Sequence, residues 1–159
     1  MELNNELRLS VPEGFHVMDE EEKSRLRLLE EGPFVGLSDP ERHILVTVGW
    51  KQLGGLLSAL VSSGDVAKSM EKNVSRAMAQ LGYRRTGFTK TQVAGAEAGG
   101  FRYEYRAQDV DMAAESVAVK IKKTVYYFHF YGRAAGKEEN AVCRDAILSS
   151  VQRIKPSAG

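Results

Sequence analysis

The chain has 159 residues, of which 43% are apolar and 27% charged, and a net charge of +1 at neutral pH. That length suits one domain with a sizeable core, and the near-balanced charge gives no support for a nucleic-acid or acidic-membrane partner. One cysteine, Cys143, excludes an internal disulfide, and no apolar run approaches the ~18 residues that a membrane-spanning helix needs.

The opening residues, MELNNELRLS, show no basic segment followed by an apolar one, so they do not read as a secretory signal. The expectation is a cytoplasmic protein, with the mature part of an exported protein as the alternative. Leu7 to Ser10 reads as a short strand, and Val11-Pro12-Glu13-Gly14 as a turn. Phe15 and Val17 start a second extended piece. Asp19 with Glu22 three residues on is a capping-box pattern, and Glu20, Glu21 and Glu22 suit the positive end of a helix dipole. This helix is expected to run to about Glu30, where Gly32-Pro33 stops it.

Phe34 to Leu37 reads as a strand and Ser38-Asp39-Pro40-Glu41 as a turn. Ile44 to Trp50, almost continuously apolar, reads as a central strand buried on both faces. Leu53 to Leu60, with Gly54-Gly55, is either a loop or a short weak helix. Asp65 to Leu81 is the clearest helix: at ~100° per residue, Val66, Ala67, Met70, Val74, Ala77, Met78 and Leu81 share an arc of about 120°. Asp65 is placed as its N-cap and Gly82 as its left-handed C-cap.

Tyr83 to Val93 returns to extended structure, interrupted by Ala94-Gly95-Ala96 and Gly99-Gly100. Phe101 to Arg106 then alternates aromatic and charged residues. Asp109-Val110-Asp111 turns a hairpin, Val117 to Ile121 alternates again, and Lys122-Lys123 turns into the aromatic run Thr124 to Tyr131. Helical spacing resumes from Glu138 to Ile154, with Val142, Cys143, Ala146, Ile147, Ser150, Val151 and Ile154 on one face. Lys155 to Gly159 reads as a frayed tail. The fold class is therefore α+β: a mainly antiparallel sheet of about five to seven strands, a C-terminal three-stranded meander and a C-terminal helix. The Asp65–Leu81 helix and the terminal helix pack against the sheet.

No catalytic set stands out, and no spacing of His, Cys or acids suits a metal. His16 and His43 sit beside turns. If Phe128 and Phe130 face the core, His129 shares the other face with Tyr127 and Tyr131. Asp109, Asp111 and Glu115 lack the pattern of a calcium loop and read as a solvated hairpin turn. Cys143, on the apolar face of its helix, reads as a small hydrophobe. The run Val93 to Gly100 leads into a strand, so it reads as a β-connection and not a phosphate loop. Arg84, Arg85, Lys90, Arg102, Arg106, Lys120 and Lys122 read as the charged solvent face of an antiparallel sheet.

The sequence also carries Leu-x-Leu-x-Val-Pro-Glu-Gly-Phe at Leu7 to Phe15, the acidic helix start at Met18 to Glu22, and Ser38-Asp39-Pro40 before ILVTVGW. Leu81-Gly82-Tyr83, Gly100 to Tyr105, Val125 to Phe128 and Ala146 to Val151 complete the series. The ensemble resembles the PsbP-like superfamily, and more narrowly its DcrB-like branch of bacterial proteins, over about residues 5–155. The resemblance implies an α/β/α sandwich in a single domain. It also implies adaptor-type roles: members include a photosystem subunit, a Ran-binding import factor, exported lipoproteins and chaperones of secreted effectors.

The expected function is thus non-enzymatic binding of a protein partner, with no cofactor. The surface for it is Tyr103, Tyr105, Tyr127, His129 and Tyr131, since aromatic residues are favoured anchors. The alternatives are a small-molecule carrier with an apolar pocket, and a hydrolase-type enzyme using His129.

Overall fold

The computed structural model describes residues 1–26 and 32–155. The chain opens on two short strands, β1 (Glu2–Leu3) and β2 (Leu7–Arg8), then β3 (His16–Val17) and the short helix α1 (Glu20–Ser24). A hairpin of β4 (Phe34–Asp39) and β5 (Ile44–Gln52) leads to helices α2 (Gly55–Leu60) and α3 (Ser63–Ala77). Strands β6 (Arg84–Val93), β7 (Ala96–Ala107), β8 (Val110–Ile121) and β9 (Thr124–Arg133) form a meander of four strands, one more than expected. Helix α4 (Lys137–Ser150) and strand β10 (Gln152–Arg153) follow.

Seven strands make one antiparallel sheet in the order β3-β4-β5-β9-β8-β7-β6. Because side chains alternate across a strand, the sheet has two apolar faces. On one, Val46, Val48, Val117, Tyr126, Phe128 and Phe130 pack with Ile147 and Leu148 of α4 and with Leu3, Leu7 and Leu9. On the other, Phe101, Tyr103, Ala118 and Val125 pack with Val66 and Met70 of α3 and with Met78 at its C-cap. This is the expected α/β/α sandwich. A second, three-stranded sheet, β1-β2-β10, joins the two ends of the chain.

Local chemistry accounts for most boundaries. The Asp19–Glu22 capping box forms on α1, with Asp19 Oδ1 accepting from Glu22 N at 2.8 Å. The helix ends at Ser24, and the rest of the stretch expected to reach Glu30 lies outside the described residues from position 27 on. In α3 the cap is Ser62 and not Asp65: Ser62 Oγ accepts from Asp65 N at 3.1 Å, so Asp65 is the third helical residue. Gly82 does take the left-handed conformation, φ +73°, after a 3-10 turn at Ala79–Leu81. Ser62→Ala should cost about 1 kcal/mol, seen as a melting temperature about 2–4 °C lower.

Several expectations are corrected by the sheet itself. Ser38 and Asp39 belong to β4, so the turn tightens after them. Gly99 and Gly100 do not interrupt a strand but lie inside β7, and the hairpin turn is Ala94-Gly95, flanked by the Val93–Ala96 pair. The next turn is Gln108-Asp109, both at positive φ, and Val110 and Asp111 already pair in β8. Helix α4 stops at Ser150, because Val151 turns extended to lead into β10.

The buried face of α4 is also rotated from the expected one. Val142 and Ala146 are exposed, whereas Arg144 is drawn inward. The cause is Glu115, which is buried on β8 and not part of a solvated turn. Its carboxylate pairs with Arg144 at 2.5 Å and Arg102 at 3.0 Å. The basic residues therefore form no single solvent face: Arg102 serves this pair, and Lys120 Nζ donates to the Val61 carbonyl at 2.9 Å.

Candidate functional site

Helix α3 packs on β7 and β8. Its flank therefore forms a wall beside the open floor made by β5 and β9. The floor is set by strand register: Gly49 lies opposite Tyr127, and Thr47 opposite His129. Gly49 contributes no side chain, so the floor is recessed there. The result is a half-open cleft of about 590 Å³, floored by Gly49, Tyr127, His129 and Tyr131. One row of α3, Val66, Met70 and Val74, forms its apolar wall with Met78 just beyond the helix. A second row four residues apart, Asp65, Ser69, Asn73 and Ala77, rims the mouth with Lys51 and Val61.

His129 is the polar centre of this floor. It is buried, and its Nδ1 lies 2.7 Å from Ser116 Oγ on the neighbouring strand β8. Its ring stacks near Tyr131 at 6.2 Å between centroids. Burial without a charged partner pushes the imidazole pKa down to about 4, so the ring is neutral at physiological pH. With Nδ1 committed to Ser116, Nε2 is the nitrogen left for a ligand in the cleft.

Behind the floor lies a row of tyrosines. Tyr103 is 1% exposed and stacks between Tyr83, Phe101 and Tyr105. Burial, reinforced by Tyr105, raises its pKa. Ser116 and Tyr131 are close enough to oppose that rise, yet the buried Tyr103 hydroxyl meets no group at hydrogen-bond geometry among the described residues. Burial likewise pushes Tyr105 up to about 12. Tyr83 donates to Glu71 Oε1 at 3.0 Å.

The five residues expected to form a partner surface thus lie on one face of the sheet. The structure brings Tyr127, His129 and Tyr131 together on the cleft floor and sets Tyr103 and Tyr105 behind it. Half-buried Tyr105, Tyr127 and Tyr131 differ from Tyr103, which is core. Sequence reasoning missed Ser116, because only the β8–β9 register sets it beside His129. The Asp65, Ser69, Asn73, Ala77 row was readable from its four-residue spacing.

A serine–histidine contact invites a nucleophilic reading. Here Ser116 is fully buried, so its oxygen is closed to a substrate, and the imidazole is a weak base at pH 7. The hydrogen bond that orients the ring comes from Ser116 and not from a carboxylate. The arrangement holds a neutral ring in place and suits binding.

A second cavity, about 430 Å³, lies between α4 and the sheet and contains Glu115, Arg102 and Arg144. The Glu115 carboxylate there is already met by two guanidinium groups.

No family model and no curated protein matches the chain. Solved structures do. The chain is similar to cyanobacterial PsbP (CyanoP) from Synechocystis sp. PCC 6803, with 15% identity, a TM-score of 0.67, and 96% of this chain and 89% of that one covered. It is also similar to LpqN, involved in cell envelope biogenesis of Mycobacterium tuberculosis, with 12% identity, a TM-score of 0.57, and coverage of 94% and 83%. PA94 from Pseudomonas aeruginosa matches with 14% identity, a TM-score of 0.51, and coverage of 82% and 87%. The fold is PsbP-like, and at these identities the likeness concerns the fold alone.

Proposed function

We propose that this is a non-enzymatic binding protein whose cleft beneath α3 holds a small, uncharged ligand with an apolar body and one polar end. The observation that carries this reading is a neutral imidazole set in the cleft floor beside the apolar wall of α3, with Lys51 and Asp65 kept to the rim. About 590 Å³ is within the ~300–1,000 Å³ typical of small-molecule sites. The apolar row of α3 would cover the ligand body, and His129 Nε2 would meet its polar end. A charged end is disfavoured, because the floor offers it no counter-charge and burial would strip its water.

The uncharged fluorescent probe N-phenyl-1-naphthylamine tests this. It should bind the wild-type protein and brighten, and Ala77→Trp, at the cleft mouth, should weaken it about tenfold or more. Lys68→Trp, exposed and away from the cleft, is the control and should bind as wild type. Equal binding by all three proteins, or none by the wild type, would remove the cleft as the site.

A further inference from the structure

The seven-stranded sheet has two unequal edges. One is β3, only two residues long; the other is β6, ten residues from Arg84 to Val93. Among the described residues, β6 pairs with β7 on its inner side, and no backbone hydrogen bond reaches its outer side. A bulge between Arg85 and Gly87 disturbs the first turn of pairing, after which Gly87 to Val93 run in unbroken register. Those seven residues offer an edge about 23 Å long at ~3.3 Å per residue.

Sheet edges of this length are usually shortened, covered, bulged, or guarded by proline or charge. Here the bulge is confined to the step between Arg85 and Gly87, and within residues 87–93 the one guard is Lys90. β6 contains no proline, and most of its side chains are exposed. Its charged residues are Arg84, Arg85 and Lys90, all positive. Arg84 and Arg85 meet Glu104 and Glu71, and Lys90 has no carboxylate partner among the described residues. Phe88 is 48% exposed on the same face as Lys90, with the Arg85 guanidinium 4.4 Å from its ring centre. With Arg84 and Arg85 already met, Lys90 leaves one uncompensated positive charge on the regular part of the edge, which favours an acidic strand over a second copy of β6.

We propose that β6 takes up an extended acidic segment of a partner protein by strand addition, with an apolar side chain of that segment set beside Phe88. Main-chain hydrogen bonds to the open edge supply affinity, and Lys90 with Phe88 supplies selection. This surface is separate from the α3 cleft and does not depend on it.

The test uses the full chain and three fluorescein-labelled ten-residue peptides: alternating Val-Glu, alternating Val-Lys, and Val-Glu with alternate backbone amides N-methylated. The Val-Glu peptide should bind by fluorescence anisotropy and slow amide exchange across residues 87–93. Lys90→Glu should weaken it about tenfold, and saturating N-phenyl-1-naphthylamine should leave it unchanged. The other two peptides should not bind. The proposal is overturned by no binding of the Val-Glu peptide, by equal binding of either control, or by protection or displacement that places the peptide in the cleft. Pairing of β6 with a second copy, seen as a concentration-dependent dimer protected over 87–93, overturns it too.

Discussion

Gly100→Ala is expected to destabilise the protein by about 3 kcal/mol or more, at the upper end for a single overpacked methyl. A Cβ there would overlap the Ser116 carbonyl oxygen and crowd Val117 Cα at 3.2 Å. Both are backbone atoms of β8, an inner strand of the meander, so neither can swing aside as a flexible side chain would. Relief requires β7 and β8 to part where Gly100 faces Val117, which also disturbs the packing of α3 on both strands. Gly95→Ala is the contrast. Nothing lies within 4 Å of its Cβ, and only its φ of +77° resists a side chain, a cost of about 1–2 kcal/mol. Urea unfolding of both variants measures the difference. A Gly100→Ala protein within about 1 kcal/mol of wild type would contradict the close approach of β7 and β8.

The second large effect is on pH dependence. His129 titrates near 4 in the folded chain, against ~6.5 when unfolded. As pH falls, the unfolded chain therefore takes up the proton first, and stability declines. The contribution is complete above ~6.5, lost progressively down to about 4, and totals about 3 kcal/mol for a drop of this size. About 2 kcal/mol of that should disappear between pH 7 and 5. Two carboxyls are also displaced, Glu22 by its hydrogen bond to His16 and Asp39 by its hydrogen bond to Arg42. Both are lowered, so their contributions are lost only on acidification below their ordinary values of 4.5 and 3.8. The interval from pH 7 to 5 thus leaves both carboxyls aside, and the difference between wild type and a His129 variant assigns the slope to that residue. His129→Asn, which keeps a side chain able to hydrogen-bond Ser116, should flatten the stability profile there. An unchanged slope would mean that the imidazole is solvated in the folded state.

The sequence is informative where a local rule acts alone. The Asp19–Glu22 box, the Gly82 cap and the turn at Lys122 need only neighbouring residues, and each appears as expected. The alternation from Thr124 to Tyr131 put Tyr127, His129 and Tyr131 on one face and Phe128 and Phe130 on the other, as they are found. What stayed hidden depends on tertiary pairing. Gly99 and Gly100 look like a break, but they are glycines because α3 and β8 press against β7: a Cβ on Gly99 would lie 2.9 Å from the Ser63 carbonyl oxygen of α3. Glu115 looked like one acid among three near a turn, yet Asp111 is exposed and Glu115 is buried against two arginines. The choice of Ser62 over Asp65 as cap turned on a three-residue shift between two residues equally able to serve.

The small sheet of β1, β2 and β10 carries a consequence for synthesis. Arg8 pairs with Gln152, and Ser10 N donates to Ser150 Oγ across 140 positions of sequence. Leu3 and Leu7, both fully buried, belong to that seam. The two sides of the seam are made far apart in time, since β2 precedes β10 by more than 140 residues, so β2 waits unsealed until residue 153 has been made. Long-range closure of this kind is slow, and a chain stopped before residue 152 would lack the strand that closes the seam.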